Sequence, residues 1–475
     1  MKTRALVSWS LLAMTASCTT VYAVLPAPSR APLVARSSSE HVPGSNESLD
    51  RTDPLVTVDA RIGHAALSAS GDRTSYVLLE VTAAERGAGP AASDVTLVVD
   101  RSGSMRGERM ANAIEAASSW ALRAVDGDRL SVIAFDDRAE MVVSPTVIEP
   151  ATRPVVLAAI RGLTAGGETC LSCGLEMASS LEADRGGRAR RVVVLSDGEA
   201  NKGVTSDAGF RRLASSFRER DVGITTLGLG LGYNEKLLGA LAVESNGNHE
   251  FVKDAGDLPA VFAKEAESVR GTVAMDVTAE IEARPGVEIV RVLSRGHGGD
   301  ATRVNVPLGA LPSGAKRTVL LEVRVRGDVG PKQVVTVALR HRSPGGAERV
   351  AHATVTTEVS AGASSEMDAR VAVRVERERV ARSLDDANAQ FAAGNRQAAL
   401  NTLQEQRASL DAAARLVERA RGNEEAGVAE LAALVERLRA DLDATRTQMA
   451  RTSATSEQGR ATVRETRRRW APLML

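Results

Sequence analysis

Asp100, Ser102 and Ser104 stand at every second position directly after the apolar run Val95-Thr96-Leu97-Val98-Val99. A carboxylate and two hydroxyls leaving a strand at that spacing can turn three oxygens toward one point. Oxygen-only ligation suits a hard cation such as Mg²⁺, which keeps exchangeable waters when few protein groups hold it. The place fits too, because ligands of open α/β sheets gather beyond the carboxyl ends of the strands.

More of the same chemistry follows downstream. Gly166-Gly167-Glu168-Thr169 precedes Leu171 and the helical run Gly174-Leu175-Glu176-Met177-Ala178. Arg191-Val192-Val193-Val194-Leu195-Ser196-Asp197-Gly198 is a second apolar strand that ends on a carboxylate. Ile224-Thr225-Thr226-Leu227-Gly228-Leu229-Gly230 reads as a later strand, with Tyr233-Asn234-Glu235 and Leu237-Leu238 as loop and helix. The run from Asn246 to Val252 reads as the final strand.

In that order, from about Val95 to Val269, the chain resembles von Willebrand factor A domains that carry a metal-ion-dependent adhesion site. The resemblance implies a doubly wound, Rossmann-like α/β fold. It also implies that Ser102, Ser104 and Thr169 offer hydroxyls to one Mg²⁺ (or Mn²⁺ or Ca²⁺), with Asp100 and Asp197 balancing its charge directly or through water. A protein partner with an exposed Asp or Glu would then complete the metal shell. The competing reading is that these are ordinary turn residues, since Asp, Ser and Gly crowd turns for backbone reasons.

The second loop departs from the family, reading Thr169-Cys170-Leu171-Ser172-Cys173 where relatives usually have Asn or Asp after the threonine. Of three cysteines, Cys18 falls in the leader, which leaves one C-x-x-C pair. A Cys170–Cys173 disulfide is expected in an oxidising compartment; two free thiols, or a pair cycling with an oxidoreductase, are the alternatives. Structural zinc is disfavoured, because it wants four ligands and no second Cys or His pair accompanies this one.

Met1-Lys2-Thr3-Arg4 followed by the apolar stretch Ala5 to Ala16 reads as a secretory signal, too short to span a membrane as a mature helix. Thr15-Ala16-Ser17-Cys18 resembles a lipobox, which would lipidate Cys18 and anchor the chain to a membrane. Thr19 favours an outer-membrane address over an inner-membrane one, and Val21-Tyr22-Ala23 is a rival cleavage site for a periplasmic or secreted product. The expected organisation is a signal over residues 1–23, a flexible tether over 24–54, strands over 55–92 and the α/β domain over 93–270. A β-sandwich-like region over 271–362, a helical hairpin or coiled-coil module over 363–455 and a basic tail over 456–475 complete it.

The tether is rich in Pro, Ser, Ala and Arg, and about 30 coil residues span roughly 30 Å. Leu321, Val323 and Val325, and again Val335, Val337 and Leu339, alternate with polar residues as strands do. The flanking strands either pair into one sandwich with the α/β domain inserted between them, or form two separate β units. Val373, Val380, Leu384 and Ala387 make a helical stripe, Gly394-Asn395 and Gly422-Asn423 read as breaks, and Leu431, Leu434, Leu438 and Leu442 line one face beyond.

Sixty basic and sixty acidic residues cancel, so no global field attracts nucleic acid, and 3% aromatics argue against a base-stacking surface. Three functional classes remain. They are a metal-dependent protein-binding module of the bacterial cell envelope, a structural scaffold with a non-essential metal site, and a Mg²⁺-dependent hydrolase. The last is disfavoured because the three loops offer no evident nucleophile and base pair. The order of tether, strands, α/β domain, β region and helices resembles bacterial secreted or lipoprotein members of the family. It also resembles inter-alpha-trypsin-inhibitor heavy chains and calcium-activated chloride channel relatives.

Overall fold

The computed structural model describes residues 53–466 apart from 72, 86–91, 182–187, 199, 231–232, 294–297, 423–426, 457, 460–461 and 464. The expected leader with Cys18, most of the expected tether and the basic Arg467-Arg468-Arg469 lie outside the described residues.

Three strands come first: β1 (Val56–Ile62), β2 (Ala66–Ser68) and β3 (Thr74–Ala83). An α/β unit follows, opening on β4 (Ser93–Asp100) and helix α1 (Glu108–Arg123). Next are β5 (Arg129–Phe135), β6 (Ala139–Val147), α2 (Arg153–Arg161), α3 (Leu171–Leu181) and β7 (Ala189–Ser196). The unit closes with α4 (Asp207–Arg218), β8 (Gly223–Leu229), α5 (Glu235–Glu244), β9 (His249–Val252) and α6 (Leu258–Arg270).

Its sheet has the order β6-β5-β4-β7-β8-β9, parallel throughout except for β6. β4 and β7 are buried at every position, as strands covered on both faces must be. Helices α1, α2 and α6 cover one face, where Trp120 meets Phe262 edge-on with ring centroids 6.1 Å apart. Helices α3, α4 and α5 cover the other through Leu175, Phe210, Phe217 and Leu241. The chain adds β5 and β6 on one side of β4, then crosses over to lay β7, β8 and β9 on the other. That reversal opens a crevice between the carboxyl ends of β4 and β7. The final strand starts at His249 rather than Asn246, because Asn246 takes a left-handed turn (φ +59°) that Asn tolerates.

Seven more strands follow: β10 (Thr272–Ala283), β11 (Val287–Val292), β12 (Gly298–Gly299), β13 (Arg303–Pro312), β14 (Lys316–Val325), β15 (Gly330–Arg342) and β16 (Glu348–Ser360). They join the first three strands in two sheets, β1-β3-β14-β11 and β12-β13-β10-β15-β16-β2. β3 runs antiparallel to β14, with Leu79 opposite Val319, and β2 runs parallel to β16. Strands from both sides of the α/β unit therefore share each sheet, and Ile62, Val77, Ile281, Val323, Val337 and Val355 fill the space between the sheets.

After the sheets come α7 (Ala369–Ala392), α8 (Arg396–Gly422) and α9 (Val428–Arg451), with α7 and α8 separated at Gly394-Asn395 where the sequence places a stop and restart. Val373, Val380, Leu384 and Ala387 are all buried in the helical core. In α9 the buried stripe runs Leu431, Val435, Leu438, Leu442, and Leu434 flanks it. α7 also packs on a sheet: Val371 and Val375 meet Leu78 and Leu320, and Arg374 pairs with Glu80 at 2.7 Å. No helix among the described residues is long and apolar enough to cross a membrane.

Candidate functional site

Asp100, the last residue of β4, is fully buried. Its Oδ1 accepts from Ser102 N at 2.8 Å and its Oδ2 accepts from Ser196 Oγ, at the end of β7, at 2.7 Å. Ser102 Oγ lies 3.0 Å from Ser104 Oγ, and Ser104 Oγ donates to Asp197 Oδ1 at 2.7 Å. Four of the five expected residues thus form one hydrogen-bonded chain, rising from buried Asp100 to Ser104, which is exposed.

Thr169 reaches the same crevice from the loop before α3. A Cβ on Gly198 would lie 3.7 Å from Thr169 Oγ1 and 3.8 Å from Ser104 Oγ, so the two hydroxyls share one wall. Thr169 N donates to Asn201 Oδ1 (3.0 Å) and Asn201 N returns a bond to Thr169 O (3.2 Å), but Thr169 Oγ1 takes no hydrogen bond among the described residues. The loops are held to each other by their backbones. Gly103 N donates to Gly167 O (3.0 Å), and Gly166 N donates to Arg101 O (2.7 Å).

Helix α3 brings this loop close to the sheet at Gly174, where a Cβ would come within 2.8 Å of Val98 Cγ1 and 3.0 Å of Phe135 Cδ1. Cys170 and Cys173 are joined by a disulfide on the first turn of α3. Gly203 (φ +70°) lies over that disulfide, where a Cβ would fall 2.6 Å from Cys170 Sγ. The third loop is thereby seated on the second.

Burial pushes the Asp100 carboxyl up to about 6, and the like charge of Asp197 adds to the rise, while hydrogen bonds from Ser196 and Ser102 oppose it. No cationic side chain pairs with Asp100 among the described residues. A buried carboxylate in that setting calls for a proton or a cation. Among the described residues no three His, Cys, Asp or Glu cluster as metal ligands, so a cation here would depend on hydroxyls. The available donors are oxygens only, one hydroxyl is unpartnered, and one carboxylate lacks a counter-charge. This donor set fits a hard divalent cation.

Among the described residues of the three loops, reactive groups are scarce. Lys202 stands in the third loop, but it pairs with Asp137 (3.1 Å) and Glu168 (3.5 Å), and the Asp137 hydrogen bond holds its pKa above the usual lysine value. It is an ammonium ion committed to carboxylates and poorly suited to act as a base.

Three contributors escape a reading of local pattern: Ser196, Asn201 and Arg109. Ser196 could have been found from its place just before Asp197 at a strand end. Arg109 donates to Asp197 across 88 residues of sequence, a separation that no spacing rule reveals.

The fold and its parts have known counterparts. Residues 95–199 match the family model described as von Willebrand factor type A domain. The chain is 26% identical over 247 residues to uncharacterized protein YfbK of Escherichia coli strain K12, covering 50% of this chain and 42% of that one. It is 28% identical over 215 residues to uncharacterized protein sll0103 of Synechocystis, covering 45% and 46% respectively. Each match spans less than half of the relative's length.

Among solved structures, a von Willebrand factor type A protein from Catenulispora acidiphila superposes with a TM-score of 0.65 at 21% identity, over 83% of this chain and 90% of that one. The ArnB paralog VWA2 from Sulfolobus acidocaldarius gives 0.56 at 15% identity, over 82% and 98%. Coverage of that extent takes in far more than the α/β unit, so the flanking regions share in the likeness of fold. The α/β unit of this chain has the fold of a von Willebrand factor type A domain.

Proposed function

We propose that this chain is a metal-dependent protein-binding module of the bacterial cell envelope, without enzymatic activity. In this reading Asp100, Ser102, Ser104, Thr169 and Asp197 hold one Mg²⁺, with Mn²⁺ or Ca²⁺ as substitutes, and an exposed Asp or Glu of a protein partner completes the shell. The observation that carries the reading is the approach of these oxygens from three loops at the crevice between β4 and β7, around a buried carboxylate that has no cationic partner among the described residues. Mg²⁺ would supply a hard positive centre that prefers oxygen ligands and keeps several waters, one of which a partner carboxylate would replace.

The residues themselves do the positioning. Ser196 fixes Asp100 from the neighbouring strand, Asn201 clamps the backbone of Thr169, and the disulfide stiffens the turn that presents Thr169. The envelope address rests on the leader-like residues 1–23, with a lipid anchor at Cys18 as part of the same proposal.

Calorimetric titration with Mg²⁺ tests the site. Wild-type protein should bind one ion, and Asp100→Ala should weaken binding by about a hundredfold or more, since the variant removes a buried ligand charge. Affinity unchanged in Asp100→Ala would remove the site from this crevice. Capture of a partner in Mg²⁺ but not in EDTA, lost with Asp100→Ala, tests the functional half. Capture that survives EDTA would move the contact surface elsewhere on the chain.

A further inference from the structure

Asp197 already has a cationic partner, and the metal reading would require the two cations to compete for it. Arg109, in the first turn of α1, donates through Nη1 to Asp197 Oδ2 and to Ser104 O (3.3 Å). The Asp197 side chain is fully buried, whereas that of Arg109 is 44% exposed. The second carboxylate oxygen, Oδ1, takes the Ser104 hydroxyl at 2.7 Å. Both oxygens are therefore engaged, one by a hydroxyl assigned to the metal and the other by a guanidinium. Arg109 Nη2 also lies 3.5 Å from where a Cβ on Gly230 would stand, so the side chain spans the rim from α1 to the end of β8. Among the described residues no other cationic side chain pairs with Asp100 or Asp197.

Resting on the metal assignment above, we propose that Arg109 is a displaceable internal counter-ion of the site. It holds Asp197 in the metal-free protein and leaves that carboxylate when a divalent cation is bound. A guanidinium and a divalent cation in contact with one buried carboxylate repel each other, and the low local dielectric strengthens that repulsion. A buried Asp197 with neither cation would be left uncompensated, which is destabilising. Metal loading and the position of Arg109 are therefore coupled, and each disfavours the other's contact with Asp197 to the same extent.

The test uses the full chain with Mg²⁺ alone as the probe, comparing Arg109→Gln, Arg109→Lys and Arg106→Gln with wild type. Arg106 is exposed, lies three residues before Arg109 and reports the general effect of removing a nearby charge. Arg109→Gln should lower the Mg²⁺ dissociation constant about tenfold, lower the melting temperature without metal, and enlarge the Mg²⁺-induced thermal shift. Arg106→Gln should change affinity less than about twofold, because exposed charges are screened. Arg109→Lys keeps the charge and should stay within about threefold of wild type.

Equal affinities for Arg109→Gln and wild type, or equal gains in Arg109→Gln and Arg106→Gln, would overturn the proposal. So would weaker binding in Arg109→Gln, which would make Arg109 a support for Asp197 instead of its competitor. Failure of the metal assignment itself has a different signature: wild type would not bind Mg²⁺, or Asp100→Ala would bind it as wild type does. Either result removes this proposal as well.

Discussion

In β4 and β7 of the α/β unit all eight positions are buried, whereas β16 of the sandwich alternates buried and outward residues along its length. That difference decides where polar chemistry can collect. The central strands have no outward face, and the polar groups of the crevice stand at their carboxyl ends, where Ser196 and Ser102 donate to Asp100 and Ser104 donates to Asp197. The sandwich spreads its charges over outer faces instead, as cross-strand pairs such as Arg340–Glu280 and Arg303–Glu282. One arrangement concentrates groups in a crevice away from water. The other leaves each charge solvated and separately replaceable. Substitutions in the α/β unit should therefore have large effects, and those on the sandwich face small ones.

The largest effect should come where α3 meets the sheet. Gly174→Val places methyl groups beyond a Cβ already 2.8 Å from Val98 Cγ1, an overpacking expected to cost about 3 kcal/mol or more. Urea unfolding would show the midpoint moving down. An unchanged midpoint would mean that α3 can stand off β4 and β5, and the loop of Thr169 would be less firmly placed than the geometry indicates.

A somewhat smaller effect follows from His249, at the start of β9. Burial pushes its pKa down to about 4, with Thr226 Oγ1 on Nδ1 (2.8 Å) and Tyr233 Oη on Nε2 (3.2 Å). The unfolded chain takes up a proton near pH 6.5, so the neutral buried ring contributes full stability above that pH and loses it as pH falls from 6.5 toward 4. The span corresponds to something on the order of 3 kcal/mol at most, since partial exposure relieves part of it. His249→Gln should flatten the pH dependence of the unfolding free energy across this window. A slope unchanged in the variant would assign the acid sensitivity to other groups.

Legibility in the sequence divides along the same line. The alternation in β14, β15 and β16 and the apolar runs of β4 and β7 announce strands because side-chain burial repeats with the pleat. Asp100, Ser102, Ser104 and Asp197 stand out as polar groups placed directly after apolar strands, whereas Thr169 is legible only through the resemblance to the family's adhesion-site motif. Tertiary pairing is less visible. The three residues of β2 align with Glu358, Val359 and Ser360 across nearly three hundred residues, and no local period encodes that. The antiparallel β6 follows from a short connection after Phe135, and Asn246 ends the turn before β9 through its own left-handed backbone. Arg109 looks like an ordinary first-turn helix residue until the fold brings Asp197 beside it.

The smallest effect should belong to the sandwich face. Arg340 Nε lies 2.9 Å from Glu280 Oε1 between β15 and β10, and the two side chains are 57% and 40% exposed. The contact is as short as many in the crevice, yet water surrounds both groups and long side chains must be ordered to form it. A double-mutant cycle through Arg340→Ala and Glu280→Ala should give a coupling of about 0.5 kcal/mol, shrinking further in high salt. Thermal denaturation of the four proteins at two ionic strengths measures it. A coupling above about 1.5 kcal/mol that salt leaves unchanged would show the pair to be shielded from solvent, and the contrast between a buried polar crevice and a solvated charge ladder would then fail at its plainest example.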